Sequence, residues 1–78
     1  MPRYYFHTRD GDRLIKDPEG RELRNVTLAR DEAVLAARKV LADKIERGEI
    51  IGRQAFEICD SWGNKLLTVT FRSALKLK

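Results

Sequence analysis

Few side chains in this sequence are of types that catalyse reactions near neutral pH. The chain contains one histidine, His7, and one cysteine, Cys59. Histidine exchanges protons readily near neutral pH, so His7 is a candidate general acid or base. It follows three aromatic residues in a segment with strand character, however, where a histidine is more typical as a structural hydrogen-bonding residue. We therefore predict no catalytic residue and keep a small enzyme that uses His7 as the most distant alternative.

A metal or cofactor site has little support in the sequence. His7, Cys59 and Glu57 would meet only if their strands were adjacent, and they would then supply just three mixed ligands. The carboxylates of Glu57 and Asp60 would raise the pKa of the Cys59 thiol, which predicts an unreactive cysteine. The acidic turn at residues 17–22 contains a proline and lacks the alternating ligands of a calcium loop. We predict no metal and no cofactor.

The length and composition predict one small cytoplasmic domain. A chain of 78 residues can form a single core, although chains of this size bury only about 60% of the surface they expose when unfolded. No apolar run approaches the roughly 18 residues of a membrane span. Residues 1–3 lead directly into a strand pattern without a signal-peptide core. With one cysteine an internal disulfide is excluded, which fits a reducing compartment, and no membrane partner is expected.

The net charge of +4 originates in the C-terminal region. Residues 1–60 contain twelve basic and twelve acidic side chains, so the excess comes from Lys65, Arg72, Lys76 and Lys78. A short basic tail is more often a solvated chain end than a nucleic-acid site. Nucleic-acid binding through Arg72, Lys76 and Lys78 is therefore an alternative function and not the preferred one.

The main element of the chain is a long amphipathic helix, predicted from Thr27 to Arg47. Thr27 can cap its N-terminus, and Gly48 can adopt the left-handed conformation that ends it. At about 100° per residue, eight apolar residues gather on one face: Ala29, Ala33, Val34, Ala36, Ala37, Val40, Leu41 and Ile45. Leu28, Leu35 and Ala42, spaced seven apart, form a second line on the surface that is either simply exposed or a second contact.

Two pairs of short strands flank this helix. The predicted strands cover residues 3–8, 13–16, 54–60 and 66–71. Asp10-Gly11 is a typical hairpin turn between the first two. The second strand is expected to pause at the Pro-Gly turn of residues 17–20 and to continue through Leu23. Residues 73–78 are expected to form a last helical turn or a loose basic tail.

Each strand has one apolar face, and the helix is the only element that can cover it. The sequence therefore predicts a two-layer α+β domain of order ββαββ, in which antiparallel hairpins form a sheet with the helix packed on one face. Residues 1–78 are expected to form this single domain. The predicted core of the sheet consists of Phe6, Leu14, Phe56, Ile58, Leu67, Val69 and Phe71. The pattern does not assign the order of the strands.

The sheet face turned away from the helix is a candidate association surface. Strand alternation assigns to it Tyr5, His7, Ala55, Glu57, Cys59, Leu66, Thr68 and Thr70. Only Glu57 is charged among these eight, whereas a solvated sheet face normally carries several charges. Trp62 lies at the tip of the adjoining turn. We define the candidate interaction surface as Tyr5, His7, Cys59, Trp62, Leu66, Thr68 and Thr70. Two alternatives stay open: the basic tail and Leu75 fold over this face, or an edge strand pairs with a neighbouring molecule instead.

The sequence resembles, almost end to end, a family of small stand-alone proteins of unknown function found in rhizobia and related α-proteobacteria. The resemblance rests on the opening Pro2-Arg3-Tyr4-Tyr5-Phe6-His7, on Arg9-Asp10-Gly11, on Asp17-Pro18-Glu19-Gly20-Arg21-Glu22-Leu23, on Ala29-Arg30 and Glu32-Ala33, and on Phe56-Glu57-Ile58 and Leu67-Thr68-Val69-Thr70-Phe71-Arg72. It implies an independent cytoplasmic domain and supplies no catalytic residue, ligand or partner.

A second, looser resemblance is to the N-terminal part of HicB-type antitoxins. Those proteins also run from a hairpin through a Pro-Gly turn into an alanine-rich helix, and here the turn at residues 17–20, Thr27 and Glu32-Ala33 occupy those places. The C-terminal hairpin, with no DNA-binding segment after it, departs from that pattern. An antitoxin-like regulator is thus an alternative. The preferred prediction is a non-catalytic protein-binding or regulatory module that associates with itself as a homodimer or binds another protein.

Overall fold

The computed structural model describes residues 1–75, in which one helix packs on one face of an antiparallel sheet. The strands are β1 (Arg3–Asp10), β2 (Arg13–Ile15), β3 (Arg21–Glu22), β4 (Ala55–Cys59) and β5 (Lys65–Thr70), the helix is α1 (Val26–Glu46), and a 3-10 turn covers Arg72–Ala74. The predicted two-layer α+β fold is confirmed. Within the described residues, no helix has the length and apolar character needed to cross a bilayer.

The sheet follows the order β2-β1-β4-β5, and β3 pairs with β1 on the same edge as β2. β2 pairs with the second half of β1, and β3 pairs with its first residues, Arg3 and Tyr4. The predicted pause in the second strand is therefore confirmed. Pro18 lacks a backbone N–H for the ladder, and Gly20 has a φ of 69°. A Cβ at Gly20 would lie 2.9 Å from the ring of Tyr5, so the turn requires glycine.

The core lies between the helix and β1, β4 and β5. Ala29, Ala33 and Ala37 are fully buried, and their small side chains let the helix approach the large side chains of the sheet. Phe56 packs against Phe71 with ring centroids 4.9 Å apart. Such an aromatic pair contributes about 0.5–1.5 kcal/mol beyond the burial of its area. The predicted alanine-rich contact between helix and sheet is confirmed, but Ile45, which was predicted on the same face, is 59% exposed in the last turn of the helix and lies outside this contact.

The predicted ends of the helix need one correction. Asn25, and not Thr27, is the N-cap: its backbone is extended, and its side-chain oxygen accepts a hydrogen bond from the Leu28 N–H at 3.0 Å. Asparagine caps at least as well as threonine, so the chain enters the helix two residues earlier than predicted. At the other end Gly48 has the predicted left-handed conformation, with a φ of 71°.

The predicted core of the sheet also needs correction. Leu14 lies opposite Arg9 in the β1–β2 pair, and Arg9 is on the face away from the helix, so Leu14 lies on that outer face and not in the core. The three-residue β2 pairs with the end of β1 in a register that turns Ile15 to the helix side instead. Tyr4, which was not predicted, is buried in the core.

Candidate interaction surface

His7 takes part in a hydrogen-bond network that stabilises the fold. Its Nδ1 accepts from the Asp17 backbone N–H at 3.0 Å, so the proton of the neutral ring is on Nε2. The ring stacks on Tyr5 at a centroid distance of 6.2 Å. One nitrogen of this candidate acid or base is therefore used to hold the segment between β2 and β3 against β1.

The carboxylate of Asp17 fills the gap that the interrupted edge leaves beside β1. Its Oδ2 accepts from the Phe6 N–H, and its Oδ1 accepts from the N–H groups of Glu19 and Gly20, each at 3.2 Å. Burial acts to raise the pKa of Asp17, but these three hydrogen bonds outweigh it, and the pKa lies below its ordinary value. Both carboxylate oxygens are thus occupied by backbone donors rather than directed at an ion.

The outer face of the sheet carries more charge than strand alternation over residues 3–8 suggested. β1 extends to Asp10, which adds Arg9 to this face, and its Nε donates to Glu57 Oε2 across β1 and β4 at 2.9 Å. The Arg9 hydrogen bond is the main reason that the pKa of Glu57 is lowered. Lys65 of β5 also reaches this face, opposite Cys59. The outer face therefore carries Arg9 and Lys65 in addition to Glu57 and is more charged than the sequence indicated.

Cys59 is a buried thiol between neighbours that disfavour its ionisation. It is 6% exposed, and burial followed by the carboxylates of Glu57 and Asp60 raises its pKa. β1 and β4 do lie side by side, so His7 is opposite Glu57 and Tyr5 is opposite Cys59. Even so, no three His, Cys, Asp or Glu side chains converge on a metal-binding position among residues 1–75.

The candidate interaction surface divides into a covered part and an accessible part. Tyr5 and His7 are half-buried and Cys59 is buried. The exposed members are Trp62, Leu66, Thr68 and Thr70, and Trp62 is 86% exposed. All four lie in β5 or in the turn before it. The structure thus brings the accessible candidates together at one edge of the sheet.

The turn before β5 is held by Asp60. Its Oδ1 accepts from the N–H groups of Trp62 and Asn64, both at 2.9 Å, and these bonds, with Asn64 first, lower the pKa of Asp60. Gly63 completes the turn with a φ of 84°. The indole of Trp62 is therefore presented to solvent by an ordered turn.

β5 is the outermost strand of the sheet, and the phase of its ladder shows which groups face outward. The Phe71 N–H donates to Gln54 O at 2.9 Å. Residue pairs along an antiparallel ladder alternate between hydrogen-bonded and non-hydrogen-bonded. Val69, two residues before Phe71, therefore also bonds to β4. Thr68 and Thr70 belong to the non-hydrogen-bonded pairs, so their N–H and C=O groups point away from β4. The Thr70 carbonyl accepts from Ser73 Oγ at 2.7 Å. Thr68 is left with an outward N–H and C=O and no partner within residues 1–75.

A groove runs between this edge and the helix. It has a volume of about 370 Å³ and is lined by Arg30, Asp31, Val34, Leu35, Arg38, Thr68, Val69 and Ser73. Leu35 is 53% exposed beside it, and Leu28 is 39% exposed one heptad earlier, so the second line of the helix is a surface line. The lining of the groove combines three apolar residues, Val34, Leu35 and Val69, with charged and polar ones, and the charged residues all belong to the helix.

The residues after β5 close one end of this groove. Ala74 is buried, its carbonyl accepts from Arg38 Nε at 3.1 Å, and Leu75 packs against the core on the helix side of the sheet. Arg72 is exposed at the start of this turn. Lys76 and Lys78, which the nucleic-acid alternative requires, lie outside the described residues.

Comparison with known proteins identifies a family but no activity. A family described as "Domain of unknown function (DUF6894)" matches residues 3–72. No curated protein and no solved structure matches the chain. The match covers every strand, the helix and the candidate interaction surface.

Proposed function

We propose that this chain, which belongs to the DUF6894 family of domains of unknown function, is a non-catalytic module that binds a protein chain along the free edge of β5. The observation that carries this proposal is the outward-facing backbone of Thr68 in a six-residue edge strand. A strand that pairs there would gain backbone hydrogen bonds, and the groove beside α1 would receive its side chains. An occurrence in rhizobia and a cytoplasmic location stay predictions of the sequence.

The residues around the edge support this mode of binding. Leu66 is 44% exposed and Trp62 is 86% exposed at the start of β5, and large aromatic and aliphatic side chains anchor many protein interfaces. The other edge of the sheet consists of the two short strands β2 and β3, with Asp17 filling the space between them. β5 is thus the better template for an added strand.

The network around His7 favours binding over catalysis as the role of this domain. Its Nδ1 and the carboxylates of Asp17 and Glu57 are committed to hydrogen bonds within the fold. A catalytic histidine would need a second polar group directed at a substrate position. A non-catalytic module, as the sequence predicts, fits these internal hydrogen bonds better than an enzyme does.

Site-specific photo-crosslinking in the living source cell tests the proposal. A benzophenone amino acid replaces Leu66 in one variant and Asp12 in a control. Both positions are exposed, but Asp12 lies in the β1–β2 turn, away from β5. We expect irradiation to produce discrete protein adducts from position 66 and none from position 12. Absence of adducts at position 66, or the same adducts from both positions, would contradict the proposal.

A further inference from the structure

We infer that the chain bound at this edge is a second copy of the same protein, paired antiparallel through β5 with Thr68 opposite Thr68 of the second copy. The inference rests on the proposed function and names the partner. A two-fold axis through this point continues the sheet from one copy into the other, and the two α1 helices lie side by side on the same face. Three independent features of the chain fit this arrangement.

The first feature is the position of the helix above the sheet. α1 packs against β4 and β5 to a similar extent and against β1 somewhat less, so it lies over the sheet on the side toward the β5 edge. In the paired sheet the two helices therefore lie on the same face, on either side of the two-fold axis, with only the two β5 strands at the centre.

The second feature is a reciprocal pair of charges on the helix flank that lines the groove. Asp31 and Arg38 are seven residues apart, which places them about 20° from each other around the helix axis. In an antiparallel pair centred between residues 34 and 35, Asp31 faces Arg38 of the second copy, and the converse pair forms at the same time. Arg30, the other charged residue of the groove, lies nearer the sheet on the helical wheel. Val34 lies on the same flank at the centre of this contact.

The third feature is that the protection of β5 as an edge strand is confined to its first residues. Natural edges are blunted by lysines, prolines or bulges. In β5 the one charged residue is Lys65 at its first position, and the register irregularity lies beside it, opposite Ile58 and Cys59. In the proposed pairing the two Lys65 side chains are at opposite ends of the new ladder, about 20 Å apart, so they do not repel each other closely.

Sedimentation equilibrium of the full chain, with paired variants, tests this inference. We expect wild-type protein to form a dimer of twice the 9.0 kDa chain mass. Thr68→Pro removes the outward N–H without touching the β4 ladder and should weaken the dimer at least about tenfold, whereas Thr68→Val keeps the N–H and should not. Circular dichroism verifies that each variant is folded.

The charge pair gives a test that a merely destabilised fold would not pass. Asp31→Arg and Arg38→Asp should each weaken self-association, because each places like charges opposite one another. An equimolar mixture of the two variants should restore dimers, since each hybrid contains two opposite-charge pairs. Monomer at every concentration up to about 1 mM, or a dimer indifferent to Thr68→Pro and to the charge changes, would overturn the inference. If Leu66 adducts form in cells with another protein only, the proposed function stands and the second copy is not the partner.

Discussion

At the scale of single residues, Asp17 connects the two halves of the interrupted edge. Its carboxylate accepts three backbone hydrogen bonds, and its own N–H donates to His7. The sequence indicates a turn at this point through Pro18 and Gly20, but a pattern of residue types does not reveal that an acidic side chain replaces a missing strand partner. Its role depends on the register of β1, which only the folded chain defines.

Replacing Asp17 with asparagine tests this role. Asparagine offers one oxygen where aspartate offers two, so the Phe6 N–H or the turn N–H groups lose their acceptor. We expect the free energy of unfolding at pH 7 to fall by about 1–3 kcal/mol, as when a partly buried donor is left without a partner. Asp12→Asn, an exposed change in the β1–β2 turn, is the control and should change it little.

The pH dependence of stability provides the second part of this test. The pKa of Asp17 is lowered from 3.8 in the folded state, so its stabilisation is complete above that value and is lost as the pH falls through the folded-state pKa. The difference in unfolding free energy between wild type and Asp17→Asn should therefore shrink on acidification. Urea titrations at pH 7 and at about pH 2.5 measure it, and a difference that does not change with pH would contradict this assignment.

At the scale of elements, the long helix is the part of the fold that the sequence predicts best. Its 3.6-residue apolar period is long enough to identify the buried face, and Ala29, Ala33 and Ala37 are fully buried as expected. The short strands are predicted less well, because three residues of β2 do not carry enough alternation to fix which side faces the helix. This is why Leu14 was wrongly assigned to the core, although it lies on the outer face of the sheet. The order of the strands depends on contacts distant in sequence and was not predictable.

The contact at Ala37 gives the prediction for the helix. Ala37 is fully buried against the sheet, so Ala37→Leu should overpack the interface and lower the free energy of unfolding by about 1–3 kcal/mol. Ala42→Leu makes the same chemical change on the exposed side of α1 and should not destabilise the protein. Thermal denaturation of both variants in dilute solution measures the effect. Equal stability of the Ala37 variant and wild type would mean that the helix uses a different face.

At the scale of the whole molecule, the two edges of the sheet differ in how completely their backbone N–H and C=O groups are paired. Asp17, β2 and β3 close the edge beside β1, whereas β5 keeps outward backbone groups at Thr68 next to a groove lined by both apolar and charged side chains. The sequence identifies the residues of the candidate interaction surface but assigns them to the whole outer face of the sheet rather than to one edge. Their division into covered and accessible residues follows from the register of β1, β4 and β5, which places Cys59 beneath its neighbours and leaves Thr68 at the edge.

Amide hydrogen exchange at Thr68, measured by NMR at two protein concentrations, tests the central claim most directly. The Val69 N–H bonds to β4 and provides an internal reference that should stay protected at both. We predict that the Thr68 N–H exchanges rapidly at about 10 μM and at least about tenfold more slowly at about 1 mM, as the second copy pairs with β5. If Thr68 exchanges at the same rapid rate at both concentrations while Val69 is protected, β5 does not pair with another copy and the claim is contradicted.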